Sequence, residues 1–105
     1  MASPYRIKRL AADLRMRRRR LAVYRRSPPW PGKEPALRFE LSRYDHFLLV
    51  AAEMLEVPGV DVTTPCPMSP EARAVLEDRL AVAGLDVMAP PSSTGDVFED
   101  GELSP

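Results

Sequence analysis

Enzyme chemistry draws on side chains that accept or release protons or electron pairs near neutral pH, and this sequence holds few of them. Among 105 residues there is one histidine, His46, and one cysteine, Cys66, with no Asn or Gln. Nucleophilic catalysis needs a nucleophile, a base and a group that orients the base. Asp45 precedes His46 in a helical pattern, and neighbouring helical residues point about 100 degrees apart, so Asp45 is badly placed to orient the imidazole. Cys66 sits between Pro65 and Pro67, and nothing in the spacing brings it to His46. Two such residues are too few for a zinc site. Gly32, in PWPGKEP, lacks both the glycine spacing and the helix start of a phosphate loop. The expectation is a non-enzymatic chain with no catalytic residue, no cofactor and no metal.

The run Arg17, Arg18, Arg19, Arg20 is the one feature that names a class of partner. Guanidiniums bind phosphates in pairs of hydrogen bonds, and such contacts set affinity and its salt dependence rather than base selectivity. At 100 degrees per residue, Lys8, Arg15, Arg19 and Arg26 fall within about 40 degrees of one another. They form a cationic stripe, to which Arg18 is added as a fifth phosphate-binding candidate. Tyr24 and Trp30 flank the run and offer rings for stacking on unpaired bases, which favours RNA over duplex DNA. No helix-turn-helix turn, RNP motif or zinc-finger spacing accompanies them.

The balance of charge supports that reading and also supplies rivals to it. Met1 to Lys33 hold eleven basic residues and one acidic, Asp13, whereas Glu34 to Pro105 hold fourteen acidic residues and four arginines. The net charge of zero therefore conceals a cationic arm joined to an anionic remainder. An arm of this kind fits nucleic acid, an anionic membrane surface, or the acidic part of its own chain. Thirteen of the fifteen basic residues are Arg and Ile occurs once, a bias that points to a GC-rich genome and a bacterial cytoplasmic setting. An organellar transit peptide competes for the Arg-rich start. A secretory signal fits worse, because Leu21 to Tyr24 run into Arg25, Arg26 and prolines with no apolar segment. No stretch approaches the ~18 apolar residues of a membrane span.

Three helices must position these groups. Ser3 and Pro4 read as cap and first turn, and Ile7, Leu10, Leu14, Leu21 and Tyr24 recur at helical steps, which gives a first helix over Pro4 to Arg26. Arg17 interrupts its apolar stripe, where a buried ion pair would accommodate it. Ser27 to Pro35 is a proline-stiffened loop. Leu37, Leu41, Tyr44, Leu48, Ala51 and Leu55 then give a second helix over Ala36 to Glu56, leaving at Pro58 and Gly59. Leu37, Phe39 and Leu41 also alternate as a strand would, so a start at Ser42 with Asp45 helping to cap it competes with the earlier one. Ser69, Pro70 and Glu71 open a third helix over Pro70 to Ala83, and Leu85 beyond Gly84 is placed to fold back on Leu80.

The fold class expected is all-α: an antiparallel helical hairpin with a third helix packed across it, in one domain over residues 1–89. Trp30, with Phe39 or Phe47, is expected to close one end. Residues 90–105 carry four acidic groups around Val97, Phe98 and Leu103, the composition of an acidic tail without fixed structure or of a docking peptide. Leu55, Val57, Gly59, Asp61 and Val62 reappear as Leu80, Val82, Gly84, Asp86 and Val87, either as a duplicated unit or because two helix exits converge on similar residues. So thin a core also suits completion by a homodimer or another protein. The leading function is an interaction module whose Arg-rich arm binds a polyanion. The alternative is a partner-dependent subunit or adaptor whose basic arm and acidic tail dock on protein.

Overall fold

The computed structural model describes residues 4–89, and over them the chain is all-α with three helices: α1 (Pro4–Arg26), α2 (Lys33–Met54) and α3 (Pro70–Val82). The Ser3 cap and the acidic tail of residues 90–105 lie outside the described residues. α1 and α2 run antiparallel, with Arg17 reaching Glu40 and Phe47 and Arg25 lining one surface cleft with Glu34 and Leu37. α3 packs on α2. Over the described residues the fold is flat, 38 × 37 × 17 Å.

The expected stripes bury as amphipathic faces should. Leu14 and Leu21 of α1 meet Tyr44, Leu48, Ala51 and Ala52 of α2, and Leu76 and Leu80 of α3 close the cluster together with Leu85 and Val87. None of these ten apolar groups would bury alone on a single helix; the hairpin provides one wall and α3 the other.

α2 begins three residues earlier than the periodicity implies, and the Ser42 alternative does not occur. Lys33, Glu34 and Pro35 occupy the first turn, where backbone amides have no intrahelical acceptor, so the donor that Pro35 lacks is not needed. Gly32 precedes them as the cap at φ 85°, a left-handed conformation that favours glycine. PWPGKEP therefore does contain a helix start, although it has no phosphate-loop glycines. Phe39 is 59% exposed while Leu37 and Leu41 pack on the core, which is why the strand-like alternation does not decide this segment.

Both α2 and α3 end in the same hydrogen-bonded device, and at different residues from those the sequence echo aligns. After α2, the Val57 amide donates to the Ala52 carbonyl and the Glu56 amide to Glu53. After α3, the Leu85 amide donates to Leu80 and Gly84 to Ala81. These are Schellman endings, with Glu56 (φ 54°) and Gly84 (φ 109°) in the left-handed positions. The equivalent residues are twenty-eight apart, not the twenty-five of the echo, so the echo is no structural repeat. Gly59 does not end α2. The Ser69 cap and the Leu85 hook are as expected, with the Ser69 hydroxyl accepting from the Ala72 amide at 3.1 Å.

Candidate nucleic-acid interface on the first helix

Lys8, Arg19 and Arg26 of the expected cationic stripe are exposed, as are Arg20 and Arg25. The two remaining candidates turn toward the body. Arg15 Nε donates to the Asp86 carbonyl at 2.9 Å, and Arg18 Nε to Glu77 Oε2 at 3.1 Å. A guanidinium carries five N–H donors, so each is tethered through one of them. Arg17 is packed rather than presented. Its Nε lies 3.1 Å from Asp13, it reaches Glu40 at 4.0 Å, and its guanidinium sits 4.8 Å from the Phe47 ring centre. The break in the apolar stripe is thus filled by an ion pair and a cation–π contact.

Tyr24 and Trp30 meet each other instead of standing apart. Their ring centres are 6.0 Å apart at 62°, the edge-to-face arrangement that aromatic quadrupoles favour. Lys33 Nζ lies 5.7 Å from the Trp30 ring centre and donates to the Ser27 carbonyl at 2.6 Å. Trp30 closes the loop end with Tyr24, whereas Phe39 and Phe47 lie elsewhere on α2. The indole remains 40% exposed.

The polar core of the molecule is formed by residues that periodicity did not single out together. Asp45 is fully buried and accepts from Arg73 Nε at 2.6 Å, Arg73 Nη2 at 2.9 Å and the Met68 amide at 2.7 Å. Arg73 Nη2 also donates to the Met68 carbonyl at 2.9 Å. The Asp45 hydrogen bond raises the Arg73 guanidinium further above its ordinary value. Asp45 thus fixes the loop before α3 and α3 itself, and takes no part in capping α2. Beside it, Glu77 Oε2 accepts from the Tyr44 hydroxyl at 2.5 Å as well as from Arg18. Burial, then the Glu77 carboxylate, pushes the Tyr44 phenol well above the usual tyrosine range. Burial works against the Arg18 charge, yet Glu77 outweighs it and the guanidinium is raised.

Burial, followed by the Asp45 charge, pushes the Cys66 thiol up, the direction that lowers its nucleophilic fraction. Among the described residues no three His, Cys, Asp or Glu side chains converge as metal ligands, and no helix is long and apolar enough to cross a membrane. No family model, no curated protein and no solved structure matches the chain.

Proposed function

We propose that the chain is a non-enzymatic interaction module whose first helix binds a polyanion, with RNA the favoured partner. One observation supports this above others. Lys8, Arg19, Arg20, Arg25 and Arg26 stand exposed along α1, and none has a carboxylate within ion-pair distance among the described residues. Carboxylates of the body engage Arg17 and Arg18, and a backbone carbonyl holds Arg15, which leaves a cationic surface available for phosphate. Trp30, half open beside Lys33, is a stacking partner at the end of that surface.

Charge reversal tests the proposal. Arg19→Glu with Arg26→Glu should weaken binding of a short RNA and flatten its salt dependence by roughly 0.7 to 0.9 per lost phosphate contact. Arg38→Glu with Arg79→Glu makes the same change in total charge off α1 and should cost far less. Equal losses would mean a diffuse charge effect, and a wild-type chain with no affinity for RNA at low salt would remove the proposal.

A second reading, a subunit or adaptor that docks on protein, draws support from an open groove of about 690 Å³ between α3 and the exit of α2. Leu55, Val57, Val75 and Val82 line it, and Val82 is 89% exposed.

A further inference from the structure

About 160 degrees round α2 from Asp45, which faces α3, the outer surface of the hairpin carries aromatic rings and guanidiniums in alternation. Arg43 Cζ lies 5.7 Å from the Phe39 ring centre and 6.0 Å from that of Phe47. Arg17 approaches Phe47 from α1 at 4.8 Å, and His46 meets the same ring edge-on at 5.7 Å. The inner end of this ladder is fixed, since Arg17 is held by Asp13 and Glu40. Its outer end is open: Phe39 is 59% exposed, and Arg43 has no carboxylate within ion-pair distance among the described residues.

From this geometry we infer that Phe39 and Arg43 form a stacking site for the unpaired bases of single-stranded nucleic acid. The site rests on the polyanion-binding reading of α1 and adds a source of selectivity to it. Phe39 supplies a flat apolar ring and Arg43 an uncompensated charge next to it, which matches a base and its phosphate. A lone carboxylate would satisfy the charge and leave the ring wet. The cationic surface is also continuous in helical phase: Arg20 lies about 60 degrees round α1 from Arg17, and Arg19 about 100 degrees beyond that. A strand stacked at Phe39 can therefore pass over α1 with its phosphates toward arginines.

The experiment compares two ligands with the same number of phosphates, a twelve-residue oligoadenylate and its abasic counterpart, binding the full chain at low salt. Phe39→Leu keeps the apolar bulk at an exposed helical position and removes the π face. It should weaken oligoadenylate binding about tenfold and leave abasic binding unchanged, with Phe39→Trp restoring the difference. Oligoadenylate and oligodeoxyadenylate binding alike would identify stacking without use of the ribose hydroxyl, and tighter ribo-oligomer binding would identify RNA as the strand. If Phe39→Leu weakens both ligands equally or neither, the stacking site is overturned while polyanion binding by α1 stands. If wild type binds neither, both proposals fall together.

Discussion

At the scale of single residues, Tyr44 and Glu77 set an alkaline limit on stability. The folded phenol keeps its proton at pH values where an unfolded tyrosine, near pH 10, loses it. The stabilisation linked to that proton is therefore complete below about pH 10 and is lost as the pH rises through the raised folded value. Urea unfolding should show wild type losing more stability between pH 9 and 11 than Tyr44→Phe does, and the variant should be weaker by about 2 kcal/mol at neutral pH, where its hydrogen bond to a carboxylate is missing. A variant with an identical alkaline slope would contradict this account. Charge period alone located Lys8, Arg19 and Arg26 on the exposed face of α1, whereas Arg20 and Arg25 are exposed away from that stripe and the period did not select them. It concealed the inward turn of Arg15 and Arg18, since their acceptors, Asp86 and Glu77, lie 71 and 59 residues away. Phe39, Arg43 and Phe47 were readable at i, i+4 steps, but aromatic residues in a short chain suggest core before surface.

Elements were more legible than sites. α1 has the bounds that its capping pair and apolar steps imply, and α3 begins at the expected proline because Ser69, Pro70 and Glu71 each favour a helix start for a separate reason. The end of α2 was hidden, since its left-handed residue is Glu56 rather than the nearby Gly59. A side chain in that conformation costs on the order of 1–2 kcal/mol relative to ordinary helical backbone. Glu56→Gly should therefore stabilise the protein by about 0.5–1 kcal/mol after the added freedom of the unfolded chain is subtracted, and Gly84→Ala should destabilise it by a similar amount. Thermal unfolding of the two variants checks both signs, and a destabilised Glu56→Gly would mean that the carboxylate has a role the backbone does not reveal.

For the whole molecule, the decisive pair is Asp45 with Arg73. Removing one partner of a buried ion pair costs about 3–5 kcal/mol, comparable with the entire stability of a core this small. Asp45→Asn should thus leave the chain largely unfolded at 37 °C, and Asp45→Leu with Arg73→Met should recover part of the helical signal in circular dichroism because no orphaned charge remains. A fully folded single variant would show that the pair is incidental. Glu77 completes the picture one turn along the same buried face of α3. Its one oxygen is shared by Arg18 of α1 and Tyr44 of α2, so a single carboxylate reads the rotation of all three helices at once. Inserting one residue within any helix upstream of its contact would swing that contact by about 100 degrees and break the meeting point, while an insertion in the 27–32 or 55–69 connections would leave the phases untouched. Between the start of α1 and the Glu77 contact, length variation is therefore confined by geometry to the two linkers, and the helices behave as toothed parts of fixed pitch.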